Sequence, residues 1–463
     1  MTLLFLLSTS FAITFLAMLI NTTSAQFMMD CYWQVIVACL FVFAIFIGIA
    51  YTTASSSRAK SLIWRDVTIS ISIVSISVLV SVAFKVYLHN MALVLILPAM
   101  LIAILLGKKV AKYVNVMTSI VYIILLLLES LVKGTPFGID SIISVLFSLL
   151  SGILMITLVD KNYTRYKMVI GSLFYAILIA IAVMPASLLY TFEPREIIFN
   201  AIWLCAGQVI AIAMYSLLLP LYERLFEVCT DFKLAELASF SSPLLIKLRE
   251  EAPGTFNHSL VVGNLAESCA IAVGEDPFLA RAAAYYHDVG KLKNPKMFIE
   301  NQDGKYNPHD ELIPEVSARM ITRHAKAGYE MLKEYHMPEE IARVAIEHHG
   351  TSPVMFFYLK AQKITEGKLS MNKYKYDGPR PTTKVSAIIM ICDTVEAAVR
   401  SRQPKTEEEL REFVKKMIKD KMDLEQFDDC DITFNDLKII EDEIVKTIPS
   451  IFHHRIDYRQ AKK

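Results

Sequence analysis

The sequence predicts an all-α protein in two parts, a polytopic bundle of transmembrane helices followed by a cytoplasmic helical domain, and three observations lead there. Hydrophobic residues fill 54% of the 463 positions, with a mean hydropathy of +0.43. Apolar runs near 20 residues long succeed one another through the first half. Charge crowds into the second: residues 1–222 contain 12 Lys/Arg and 7 Asp/Glu, leaving 35 and 39 of the totals of 47 and 46. There the apolar residues recur at helical spacing and strand-like alternation is scarce. The formal charge of +1 is therefore a sum over unlike halves. The net negative second half has no polycation character, which excludes coating of a nucleic-acid polymer. Seven scattered cysteines (Cys31, Cys39, Cys205, Cys229, Cys269, Cys392, Cys430) form no Cys-x-x-Cys, so neither a disulfide framework nor a thiolate zinc site is indicated.

Eight runs are expected to cross the membrane: Leu3 to Ile20, Trp33 to Tyr51, Val67 to Leu88, Met91 to Gly107, Val114 to Leu131, Ile139 to Val159, Met168 to Tyr190 and Ile198 to Leu221. Each approaches the length needed to span a ~30 Å hydrocarbon core as a helix, the fourth being the shortest. Lys and Arg accumulate in the even-numbered connections (Arg58, Lys60, Arg65; Lys108, Lys109, Lys112; Lys161, Arg165, Lys167), whereas the odd ones carry at most one each. By the positive-inside rule the even connections and both termini are cytoplasmic. The first run reads as a retained span, because Met1-Thr2 supplies no basic segment, with a signal peptide as the alternative. Glu129 reads as a helix-end residue near the outer surface, since one acidic residue makes no ion pathway.

Organisation follows as a first span and short external loop (1–32), a helix bundle (33–222), a helical connector (223–253) and a cytoplasmic domain (254–463). Asp231 and Ser242-Pro243 are expected helix starts, the latter a cap followed by Pro at the first helical position. Beyond Gly254, Asp276-Pro277 and Pro338-Glu339-Glu340 open further helices. Residues 299–314 and 364–381 read as loops, 382–401 as helix, and the tail from Tyr458 as frayed.

Chemistry concentrates in Ala284-Tyr285-Tyr286-His287-Asp288-Val289-Gly290-Lys291. A carboxylate can bridge two ions about 3.5 to 4 Å apart, and an adjacent imidazole adds a nitrogen ligand. By itself a His-Asp pair at a helix end is more often a hydrogen-bonded cap than a ligand pair. Further candidates fall on separate helices: His258 early in one, His324 within another, His348-His349 at the end of a third, Asp393 within a fourth. A helix bundle can point side chains from several helices into one internal site. His336, His453 and His454 read as surface residues.

These residues, with Glu251 to Ser259, Phe298-Ile299-Glu300-Asn301-Gln302, Asn307-Pro308-His309, His348-His349-Gly350-Thr351 and Asp393 to Ala398, give the chain a resemblance to the HD-domain phosphohydrolases. More narrowly it resembles the membrane-anchored HD phosphodiesterases of the PgpH type, which hydrolyse cyclic di-AMP. The likeness extends from the second span to Tyr458. It departs from the family in having only residues 21–32 where a large extracellular domain is usual.

The resemblance implies that His258, His287, Asp288 and Asp393 hold one metal ion and Asp288, His324, His348 and His349 the other, Mn or Fe being the family's metals. Two ions sharing Asp288 would lower the pKa of a bridging water, giving a hydroxide that attacks phosphorus. Lys291 is a candidate to stabilise phosphate charge, or else a solvated loop lysine. Arg319, with Arg323 and Lys326 around His324, either holds the second phosphate or forms surface salt bridges. His309 is a substrate-facing or supporting residue, and Tyr358 an adenine-stacking residue or part of an apolar stripe. The expected function is conversion of cyclic di-AMP to pApA at the inner membrane. The alternatives are a hydrolase of cyclic di-GMP or (p)ppGpp and a non-hydrolysing nucleotide receptor. A Gly-Tyr-Pro element, which the cyclic di-GMP enzymes carry, is not found after His348-His349, and none of the expected ligands is missing from the chain. The sequence leaves the oligomeric state open.

Overall fold

The computed structural model describes residues 2–21, 32–57, 62–159, 164–302, 304, 306–365, 369–404 and 406–451. The outer loop at 22–31, Arg58, Lys60 and Lys161, His453, His454 and the tail from Tyr458 lie outside the described residues. The chain forms two compact units, Met1–Thr230 and Asp231–Lys463.

The first unit contains α1 (Thr2–Asn21), α2 (Tyr32–Ser56), α3 (Ile63–Tyr87), α4 (Leu97–Leu105), α5 (Lys108–Lys133), α6 (Ile139–Leu158), α7 (Arg165–Ser187) and α8 (Pro194–Leu225). Among the described residues, six of these helices (α2, α3, α5, α6, α7, α8) are long and apolar enough to cross a membrane, and α1 adds a shorter apolar stretch, Leu4–Met18. The protein is a multi-pass membrane protein.

The fourth expected span is not a crossing helix. Of Met91 to Gly107 only the nine residues of α4 are helical, roughly 14 Å of axis against a ~30 Å core. Residues 91–102 are fully buried, and α3, α5, α6 and α8 pack around α4. Backbone that is not helical can lie at membrane depth only where protein satisfies it. Ser77 Oγ donates to Val94 O (2.8 Å), and Ser81 Oγ accepts from Val94 N (3.1 Å). Gly207 of α8 presses on the same segment so closely that a Cβ there would stand 2.7 Å from Leu93 N and O. Lys85 at the end of α3 pairs with Glu129 at the end of α5, which makes the two helices run in the same direction, so the segment between them returns across the bundle. The shared direction of α3 and α5 matches the alternation expected from the loop charges, although only about half of the segment between them is helix.

The second unit opens with α9 (Asp231–Leu237) and α10 (Pro243–Glu251), followed by α11 (Pro253–Val273), α12 (Pro277–Tyr286), α13 (Pro314–Glu334), α14 (Glu339–Glu347), α15 (Met355–Gln362), α16 (Lys384–Arg402), α17 (Glu407–Asp423) and α18 (Phe434–Ile451). Capping sets several starts. Asp276 Oδ1 accepts from the amides of Phe278 and Leu279 with Pro277 at the first helical position, and Thr383 Oγ1 accepts from Ser386 N, each cap contributing about 1 kcal/mol. Ser242 differs from the expected cap. Its hydroxyl makes no capping bond and pairs instead with the buried Tyr286 hydroxyl, 2.7 Å away. Helices α11, α12, α13, α14 and α16 pack on one another around a common interior.

Candidate metal centre

Each candidate ligand reaches the interior from a different place on the helices. His258 lies in the second turn of α11, and His287 and Asp288 follow the last residue of α12, where the chain tightens into a 3-10 turn, Val289–Lys293. His324 is central in α13, and His348 continues α14, donating its amide to Val344 O. Gly350, at φ +53, turns the chain away after His349. Asp393 is central in α16.

The structure brings all seven together. In each of two groups, His258, His287, Asp288, Asp393 and Asp288, His324, His348, His349, one ligand atom per residue lies within 4.8 Å of the others. Asp288 belongs to both, and its two oxygens face different ways. Oδ2 is 3.3 Å from His287 Nε2 and 3.6 Å from His258 Nε2, while Oδ1 is 3.1 Å from His324 Nε2 and 3.6 Å from His348 Nε2.

The imidazoles are oriented from behind. The Nδ1 atoms of His287, His324 and His348 lie 2.7, 2.7 and 2.9 Å from the carbonyl oxygens of Ala284, Ile321 and Ala345, each three residues earlier. A carbonyl only accepts, so Nδ1 carries a proton, and the neutral form of each ring turns an Nε2 lone pair inward. His258 Nδ1 is held by Glu396 Oε2 at 2.5 Å, a carboxylate–histidine arrangement common behind metal ligands.

The inward atoms fit divalent ions better than they fit one another. His324 Nε2 and His348 Nε2, both lone-pair acceptors, are 3.3 Å apart. His287 Nε2 and both Asp288 oxygens are buried without a well-directed hydrogen bond, although Lys291 Nζ stands 2.7 Å from Oδ2. Mixed nitrogen and oxygen donors suit first-row divalent metals without separating them.

Burial disfavours charge on His287, but Asp288 and then Asp393 outweigh it and push that imidazole up to about 10. His258 is also raised, Asp393 and Glu396 overcoming burial. Asp288 is held well below the usual carboxylate range because Lys291 and His287 overcome the upward push of burial. On the other side, burial moves His348 down to about 4 and His349 well below its ordinary value. The two halves therefore differ in the protons an ion must displace. Loading should release protons chiefly from His258 and His287, and affinity should tighten as pH rises from neutrality towards 10. Titration calorimetry of Mn²⁺ into metal-free protein, in buffers of different ionisation enthalpy, measures this; loading without proton release would contradict it.

A cleft of about 460 Å³ opens onto the cluster, walled on its other sides by Lys291, Phe298, Ile299, Glu300, Tyr376 and Arg400. Lys291 is clamped rather than solvated, with Nζ 2.7 Å from both Asp288 Oδ2 and Glu300 Oε1 and 5.0 Å from the Phe298 ring centre. Tyr376 stacks on His349 with ring centres 4.2 Å apart.

Three expected substrate residues do not line this cleft. Arg319 is exposed on α13, and five residues before His324 it points about 140° away around the helix. His309 bonds Met297 O through Nε2 (2.8 Å) and packs on Phe357, bracing the loop behind the cleft. Tyr358 packs in a small core of Ala318, Phe357, Ala361 and Tyr374.

Glu396 and Arg400 carried no expected role. Their signal is spacing, since positions 393, 396 and 400 share one face of α16. Glu396 is fully buried between His258 and the half-exposed Arg400. Glu396→Gln is expected to weaken metal binding by about 10- to 100-fold, because an amide holds the imidazole without the charge that makes it basic. Metal content after dialysis against a graded chelator reads this out; unchanged retention would show that Glu396 does not support the site.

Comparisons with known proteins match two stretches of the chain. Residues 255–398 match the family model of the HD domain, and residues 30–230 match that of the 7TM receptor with intracellular HD hydrolase. The chain is 45% identical over 244 residues to a protein of Listeria monocytogenes named cyclic-di-AMP phosphodiesterase PgpH, covering 53% of this chain and 34% of the relative. It is 38% identical over 321 residues to the Bacillus subtilis protein of the same name, covering 69% of this chain and 45% of the relative. It thus spans less than half the length of these curated relatives. A crystal structure of the Listeria PgpH HD domain in complex with cyclic-di-AMP is 46% identical, with a TM-score of 0.44, and covers 47% of this chain and 100% of that one.

Proposed function

We propose, for a chain that belongs to the family of 7TM receptors with an intracellular HD hydrolase, that it is a cyclic dinucleotide phosphodiesterase opening cyclic di-AMP to pApA. The observation that carries the reading is Asp288, whose two oxygens each face one of two ligand groups. The names of the two curated relatives supply the substrate. The ions are Mn or Fe, and the protein sits in the cytoplasmic (inner) membrane with this unit inside the cell.

His258, His287, Asp288, His324, His348, His349 and Asp393 would hold divalent ions, which would supply Lewis acidity towards a phosphoryl oxygen and lower the pKa of a bound water. The protein's part is orientation and charge. Glu396 and the three backbone carbonyls keep the imidazole lone pairs facing inward. Lys291, its pKa raised by Asp288 and Glu300 against the effect of burial, stays cationic at the cleft wall and offsets negative charge growing on the phosphate. Arg400 supplies a second cation at the wall, and Phe298 and Tyr376 offer ring surfaces to a base.

Purified full-length protein, loaded with Mn²⁺ and given cyclic di-AMP or cyclic di-GMP in parallel, tests the reading by chromatography of products. The expected result is pApA from cyclic di-AMP with cyclic di-GMP turned over more slowly. Equal or faster cleavage of cyclic di-GMP overturns the base preference, and no cleavage of either overturns the activity.

A further inference from the structure

The end of the membrane unit away from the last residues of α8 contains a polar cleft that phosphodiester hydrolysis does not use. Arg165 at the start of α7 pairs with Glu223 near the end of α8, so these two ends share one face of the bundle. From there the chain alternates backwards, placing the start of α6 and the ends of α3 and α5 on the opposite, outer face. Between them lies a cleft of about 480 Å³ whose charged walls are Lys85, Glu129, Lys133 and Asp140, with Asn90 and Ser141 beside them.

Ionised groups this close to hydrocarbon are costly and need a reason. Pairing supplies only part of one. Glu129 gives one oxygen to Lys85 (2.5 Å) and the other to Lys133 (2.8 Å), setting a single negative charge against two positive ones. Asp140 forms no ion pair among the described residues; its Oδ2 accepts from Asn90 Nδ2 at 2.8 Å. The four charges sum to zero, but they are divided into a positive pole at the two lysines and a negative pole at Asp140. A purely structural ion cluster accounts for Glu129 and its lysines. It does not account for the open volume beside them, onto which Asp140, in the first turn of α6, also faces without an ion pair among the described residues.

A simple anion would be drawn to the lysines but repelled by Asp140, and a simple cation the reverse. A solute carrying an acid group at one end and an ammonium at the other satisfies both poles. We propose that this cleft binds a small zwitterion, its carboxylate or phosphate towards Lys85 and Lys133 and its ammonium towards Asp140. The side chain of Lys85 is only 15% exposed, so such pairings are stronger here than in open water. Two sources present this chemistry, a free amino acid outside the cell and the phosphoethanolamine headgroup of a lipid.

The test uses the full chain in detergent free of phosphatidylethanolamine, followed by thermal unfolding through tryptophan fluorescence. It is titrated with L-alanine, L-glutamine and phosphoethanolamine, and with acetate, inorganic phosphate and methylamine as single-charge controls. A second arm compares nanodiscs with and without phosphatidylethanolamine. Saturable stabilisation by at least one zwitterion or by the phosphatidylethanolamine discs is expected, the arm that responds naming the source. Lys85→Gln and Asp140→Asn should each weaken it about tenfold or more. Both variants preserve packing: in the first Glu129 keeps Lys133, and in the second the new amide still offers an oxygen to Asn90. Their unfolding without added solute verifies this. No stabilisation in either arm, equal stabilisation by a single-charge control, or indifference to both substitutions overturns the proposal. The readout involves no hydrolysis, so it stands or falls apart from the enzymatic reading.

Discussion

Asp288→Ala is expected to empty both metal positions and lower turnover by several orders of magnitude, beyond the roughly 10²- to 10⁴-fold usual for losing a proton-transfer group. The reason is geometric. Asp288 is the one residue shared by both ligand groups, and each of its oxygens faces a different pair of imidazoles. Removing it deletes a ligand from each position and removes the charge that screens two divalent cations from each other. His258→Ala and His348→Ala should each deplete mainly one position. Metal analysis of the purified variants makes the comparison. Two ions retained per chain in Asp288→Ala, or near-normal turnover, would reduce the His-Asp pair to a helix cap.

The second large effect is expected at Gly290, three residues after His287. A Cβ there would lie 2.0 Å from His324 O and 2.5 Å from Gly328 N, both backbone atoms of α13. No side-chain rotation relieves such a contact, so Gly290→Val must separate the turn carrying His287 and Asp288 from the helix carrying His324. We expect loss of metal binding together with a destabilisation in the ~3 kcal/mol range or above, at the upper end for single substitutions. Thermal unfolding of the metal-free protein measures the second effect separately. A variant that melts like the parent and keeps its ions would show that the turn can move away without cost.

What was legible in the sequence follows from how chemistry constrains residue type. Without paired cysteines, ligands for divalent ions come from His or carboxylate, and seven of them fall on α11, α13 and α16 and at the ends of α12 and α14. The starts of α12 and α14 are marked as well, by Asp276-Pro277 and Pro338-Glu339. Arg319 and Tyr358 stand out by charge or ring alone and His309 by the resemblance of its loop, and none of these says which way a side chain faces. For Arg319 the helical phase relative to His324 does say so. Glu396 was within reach of the same reasoning, one turn from Asp393 on the same face. The fourth apolar run misled for a different reason: composition records that a segment avoids water, not whether lipid or other helices surround it. Ser77 and Ser81, which sit where they can bond its backbone, lie on another helix and give no local sign.

That enclosed segment has a consequence for how the protein is made. Leu93 and the helix residue that covers it, Gly207, are more than a hundred positions apart. At synthesis rates of about 5–20 residues per second, roughly 5 to 20 s pass between their emergence. During that interval the 91–96 backbone is in the membrane or its insertion machinery without α8 against it. The bundle is closed over this segment only when its last span arrives.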